Sequence, residues 1–169
     1  MGETVRHENF KRILFCTDFS ENADRAFVFA VNIAARNPGC ELHLLNVIPE
    51  PPAQFWKGYI YEADEDVDAR AWREIDAKLS EAYRSRAPEG VKLVTVLRIG
   101  EAGRGILEYA REKDMDLVII GRQGAGKAGR ILFGNVAERV MRNAECPVLI
   151  IPPRMGTDKT VGSGASPES

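Results

Sequence analysis

The chain has 169 residues, 44% of them hydrophobic and 28% charged, which suits one ordinary globular domain and excludes a collagen-like, wholly disordered or disulfide-scaffolded chain. A formal charge of -2 leaves no basic footprint for nucleic acid, and the longest apolar runs, such as Val148-Leu149-Ile150-Ile151, fall far short of the roughly 20 residues that span a bilayer. Three cysteines, Cys16, Cys40 and Cys146, show no CxxC spacing, and His7 and His43 lie far apart, so neither a disulfide framework nor a metal site is expected.

Met1 to Asn9 is polar and lacks the apolar centre of a signal peptide, so a flexible tail over 1–9 and a cytoplasmic protein are expected. The stretch 155–169 is rich in Gly, Ser, Thr and Pro and reads as a disordered tail. The domain is expected over 10–154. Within it, Arg12 to Thr17 is a short apolar run and the first strand. Ser20 offers an N-cap to a helix whose buried face carries Ala23, Ala26, Phe27, Ala30, Ile33 and Ala34, and Asn37-Pro38-Gly39 ends it. Glu41 to Ile48 is the second strand, with His43 packed inside it.

A second helix carries Trp72, Ile75, Leu79, Ala82 and Tyr83 on one face. Val91 to Ile99 is the third strand. A turn with Gly100, Gly103 and Gly105 leads into a third helix over Ala102 to Lys113, with Ile106, Leu107 and Ala110 inside. Asp116 to Ile120 is the fourth strand, Ile131 to Asn143 the fourth helix with Val136, Val140 and Met141 inside, and Pro147 to Ile151 the fifth strand. This strict alternation predicts an α/β fold: an open, doubly wound, five-stranded parallel sheet with helices on both faces. Ligands of such sheets bind beyond the carboxyl ends of the strands, where strand order reverses.

The loop after the fourth strand carries Gly121, Gly124, Gly126, Gly129 and Gly134, with the cations Arg122, Lys127 and Arg130. Glycines allow close backbone approach, and a helix N-terminus receives anions, phosphate above all. A phosphate loop of the nucleotide triphosphatase kind would need Ser or Thr where Ala128 stands. A response-regulator receiver would need an acidic pair after the first strand, where only Asp18 follows Thr17. An acidic cluster (Glu62, Asp64, Glu65, Asp66, Asp68) reads as a solvated helix start. The aromatic stretch Gln54 to Tyr61 reads as a lid, a partner contact or plain packing.

The spacing Gly121-x2-Gly124-x9-Gly134, with Ile13-Leu14-Phe15-Cys16-Thr17-Asp18-Phe19-Ser20 at the start, Leu44-Leu45-Asn46-Val47 in the middle and Cys146-Pro147-Val148-Leu149-Ile150-Ile151 at the end, resembles the universal stress protein family over about Phe10 to Pro152. The resemblance implies an adenine-nucleotide alpha-hydrolase-like fold with strand order 3-2-1-4-5. It also implies ATP or a related adenine nucleotide, with accompanying Mg²⁺, as ligand. Carried over residue by residue, it places Asp18, beside Thr17, near adenine and ribose, the Val47 backbone at the adenine edge, and Gly121, Gly124, Gly134 and Asn135 at the phosphates. The family has Ser or Thr where this chain has Asn135. Charge adds Arg122 and Lys127.

The expected role is a stress-response regulator with little or no turnover. The alternatives are a partner-binding module of the same fold that has lost its nucleotide, and a slow ATP hydrolase. No catalytic constellation is read from the sequence. The resemblance further implies a homodimer through Val148–Ile151, and a protein client is an open possibility.

Overall fold

The computed structural model describes residues 9–49, 66–123 and 134–153. Strand β1 (Arg12–Thr17) is buried from its second residue to its last, as a central parallel strand covered on both faces must be. It lies between β2 (Glu41–Ile48) and β4 (Leu117–Gly121), with β3 (Lys92–Ile99) beyond β2 and β5 (Val148–Ile151) beyond β4. The sheet order is β3-β2-β1-β4-β5, with every pairing parallel. Cys16 sits in register with Leu45 on one side and Ile120 on the other.

Alternation along β1 divides the core in two. Ile13 and Phe15 pack with Ala26, Phe27 and Ala30 of α1 (Glu21–Ala35) and Leu79 of α2 (Asp66–Ala82). Leu14 and Cys16 pack on the other face with Ile106, Tyr109 and Ala110 of α3 (Ala102–Glu112) and Ala137 and Val140 of α4 (Asn135–Asn143). A short 3-10 turn, Arg84–Arg86, follows α2.

Local chemistry sets the helix ends. The Ser20 hydroxyl accepts from the Ala23 N–H at 3.2 Å and caps α1. The Asn37 amide donates to the Ile33 carbonyl at 2.7 Å, and Gly39 at φ 81° turns the chain into β2. Gly100, at φ 136°, releases the chain from β3. The Glu101 carboxylate then accepts from the N–H groups of Gly103 and Arg104 and opens α3. Gly103 and Gly105 therefore lie inside α3 and are not part of the turn before it.

Three expected core residues stand elsewhere. Trp72 is 47% exposed. Helical periodicity marks the inner face of α2 but not how far the sheet reaches beneath it. Burial rises along that face from Trp72 through Ile75 to Leu79. Met141 is 45% exposed, because the short α4 packs through Ala137 and Val140. In α3 the buried position is Tyr109, and Leu107 is half-buried. The aromatic stretch 54–61, the acidic residues 62–65 and positions 131–133 lie outside the described residues.

Candidate functional site

From β1 the chain crosses toward β2, and from β4 it crosses toward β5. The carboxyl ends of these neighbouring strands thus diverge into a crevice. A cavity of about 300 Å³ lies there. Its apolar wall comes from Cys16, Leu45, Ile106, Ile120, Val136 and Ala137, and its polar rim from Thr17, Asp18, Arg122, Gln123 and Asn135. Of the sequence candidates, Thr17, Asp18, Val47, Gly121, Arg122, Gly134 and Asn135 all line this cavity. Gly124 and Lys127 lie outside the described residues.

The turn after β1 is held by its own side chains. The Thr17 hydroxyl accepts from the Phe19 N–H at 2.9 Å and bonds the Tyr83 hydroxyl, while an Asp18 carboxylate oxygen accepts from the Ser20 N–H at 3.1 Å. Phe19 occupies the left-handed region at φ 61°, a conformation that costs a bulky residue energy. Its ring stacks on Tyr83 with centroids 6.1 Å apart, and the Lys78 ammonium lies 4.2 Å from its centroid. Contacts on the far side of the turn therefore hold Asp18 at the cavity.

The wall from β4 is held as tightly. A Cβ on Gly121 would lie 3.1–3.2 Å from Asn22 of α1, closer than an alanine tolerates without movement. The Arg122 N–H donates to the Ile151 carbonyl, and the Arg122 carbonyl accepts from the Gly134 N–H, each at 2.8 Å. Among the described residues the buried Arg122 Nε has no hydrogen-bond partner. A buried guanidinium nitrogen left unpaired is costly, and Arg122 is among the residues that line the cavity. Helix α4 begins beside it at Gly134, which has no side chain to cap the first turn. The dipole and free N–H groups of that end favour negative charge.

Among the described residues, Asp18 is the one carboxylate lining the cavity, and no group of three or more His, Cys, Asp or Glu could hold a metal ion. A magnesium ion fits here only as one carried by phosphates, which is its usual mode, with Asp18 as the available protein carboxylate. Burial pushes the Cys16 thiol well up, so it forms a neutral part of the wall. His43 belongs elsewhere. It is buried, its Nδ1 lies 2.7 Å from the Tyr109 hydroxyl, and its Nε2 lies 3.3 Å from Glu41 near the start of β2.

Sequence reasoning missed Gln123 and Asn22. Gln123 stood in plain view between the glycines. Asn22 carried the one signal of a polar residue beside Ala23 at the start of an otherwise apolar helix face.

The sequence model of the universal stress protein family matches residues 9–152. Over 143 residues the chain is 32% identical to universal stress protein MJ0531 of Methanocaldococcus jannaschii, covering 84% of this chain and 82% of that one. Among solved structures it resembles hypothetical protein MJ0577 with a TM-score of 0.73 and 25% identity, over 86% of this chain and 98% of that one. It shares a fold with the universal stress protein from Archaeoglobus fulgidus in complex with dAMP. There the TM-score is 0.56 and the identity 23%, over 84% of this chain and 97% of that one.

Proposed function

The chain belongs to the universal stress protein family, and from that premise we propose that it binds ATP or a related adenine nucleotide in the crevice between β1 and β4. The observation that carries this reading is a cavity with an apolar wall that is also lined by Arg122, whose buried Nε has no hydrogen-bond partner among the described residues, and by the start of α4 at Gly134, which has no side-chain cap. An apolar slot with an anion site at its end suits a base joined to phosphates. Val47 and Asp18 stand on the base and ribose side, and Gly121, Arg122, Gly134 and Asn135 on the phosphate side, with Gly124 and Lys127 assigned to the phosphates. The fold is shared with a protein in complex with dAMP, an adenine nucleotide.

In this reading the protein is a nucleotide-dependent stress-response regulator that holds its ligand with little or no turnover. Any Mg²⁺ arrives with the phosphates. A second copy pairs along the outer edge of β5, which carries no further strand among the described residues. Three free cysteines support work in the reducing cytoplasm.

The test is calorimetric titration of nucleotide-stripped protein with Mg-ATP, beside a Gly134→Val variant. Saturable binding of one nucleotide per chain, lost in the variant, is the expected result. A parent that takes up no ATP, ADP or AMP at millimolar concentration overturns the reading and leaves the partner-binding module.

A further inference from the structure

We propose that Asn22 is a positioning residue for the phosphate side of the cavity: from the first turn of α1 it ties the Arg122–Gln123 segment to the end of β5 and so aims the Arg122 side chain. This inference rests on the nucleotide reading above.

Asn22 is buried, and a buried amide must find partners for both its donor and its acceptor. Its Nδ2 donates to the Ile151 carbonyl at 3.0 Å, and its Oδ1 accepts from the Gln123 N–H at 2.9 Å. The reverse orientation of the amide would face N–H to N–H and oxygen to oxygen, so the network itself assigns it. The Ile151 carbonyl also accepts from the Arg122 N–H at 2.8 Å. One side chain thus joins three elements: α1, the exit of β4 and the last residue of β5.

The arrangement is over-determined around one residue. The Arg122 N–H is bonded to β5, its carbonyl accepts from Gly134 at the start of α4, and the next N–H is bonded to Asn22. Gly121 lets α1 approach so closely that a Cβ there would lie 3.1 Å from the Asn22 side chain. Fixing the backbone on both sides of Arg122 limits where its guanidinium can go. That restriction prepares a binding group in advance and lowers the ordering cost when an anion arrives.

A residue of this kind acts on the phosphates and not on the base. The test therefore compares ATP with adenosine, which lacks phosphates, on the full chain. Asn22→Leu, of similar size but unable to hydrogen-bond, is expected to weaken ATP at least about tenfold while adenosine binding stays within about twofold. Amide hydrogen exchange at Gln123 is expected to quicken in the same variant. Asn22→Ala, in which water can reach the Ile151 carbonyl, keeps the comparison open if the leucine variant does not fold. Asn32→Leu, on the exposed face of the same helix, is expected to change neither ligand. Equal weakening of ATP and adenosine, or unchanged ATP affinity in a folded variant, overturns the inference. A parent that binds neither ligand overturns the nucleotide reading itself, a result seen before any variant is compared.

Discussion

Gly134 donates its backbone N–H to the Arg122 carbonyl across 2.8 Å, so the chain that leaves the sheet at Arg122 is pinned again where α4 begins. This one bond brings the cation at the end of β4 and the positive end of a helix dipole to the same side of the cavity. In the proposed reading these two pieces, which the sequence keeps apart, together receive the phosphates.

Arg122→Gln tests the cation directly. It leaves a shorter polar side chain, whose amide ends where the Arg122 Nε lies, and removes the charge. A charge-assisted hydrogen bond contributes about 1.5–3 kcal/mol, so ATP affinity is expected to fall about 10- to 150-fold. Adenosine affinity is expected to hold. Calorimetry with the two ligands checks this, and equal losses for both would remove Arg122 from the phosphate side.

Tyr83→Phe tests the scaffold behind Asp18. Tyr83 is 1% exposed, its hydroxyl bonds the Thr17 hydroxyl, and its ring meets Phe15, Phe19 and Phe27. The variant keeps the ring contacts and deletes one buried hydrogen-bond partner, at a cost of about 1–2 kcal/mol. For a chain of this size that lowers the Tm by about 2–8 °C, read by calorimetric or circular-dichroism melting. An unchanged Tm would show that water replaces the hydroxyl without loss.

His43 makes stability depend on pH. Burial holds its imidazole below the ordinary value of 6.5, and the nearby Arg12 and Lys113 push the same way, against the opposing pull of Glu41. The unfolded chain therefore takes up the proton first, and stability falls as pH drops below about 6.5. Glu41 is held below its ordinary 4.5, chiefly by its hydrogen bond to Lys92. Its contribution is complete above 4.5 and is lost only in more acid solution. Urea midpoints at pH 8 and pH 5.5 are expected to fall for the parent and to fall less for His43→Gln. Parallel curves for the two proteins would exclude His43 as the titrating group.

The open edge of β5 can be probed through its backbone. The Pro147 and Ile151 carbonyls both accept from the β4 side, so alternation turns the backbone groups of Val148 and Ile150 to the edge away from β4. Val148→Pro removes one edge N–H while leaving those two bonds to β4 in place. Sedimentation is expected to show a dimer for the parent and a monomer for the variant at micromolar concentration. A monomeric parent would dismiss pairing through this strand.

The strands were the most legible part of the chain. Buried parallel strands read as near-continuous apolar runs; Ile13-Leu14-Phe15-Cys16 is one, and Leu42 to Val47 is another, broken only by His43 and Asn46. The caps were legible too, because Ser20 and the Asn37-Pro38-Gly39 stop act over a few residues. Helix faces were read less well. Trp72 and Met141 lie on the periodic face of their helices, yet exposure depends on where the sheet ends beneath them.

At the site, local sequence already marked Thr17, Asp18 and the glycine-rich stretch, since a strand followed by small and polar residues is a signal read over a handful of positions. Asn22 carried no such signal. Its partners Gln123 and Ile151 are 101 and 129 residues away, and only the packing of α1 against the ends of β4 and β5 gives a buried amide those two bonds. Local pattern thus specified the elements and the type of chemistry, because propensity, capping and burial act over short stretches. Folding alone set which elements meet at the crevice and which buried amide bridges them, because those depend on contacts between segments far apart in the chain.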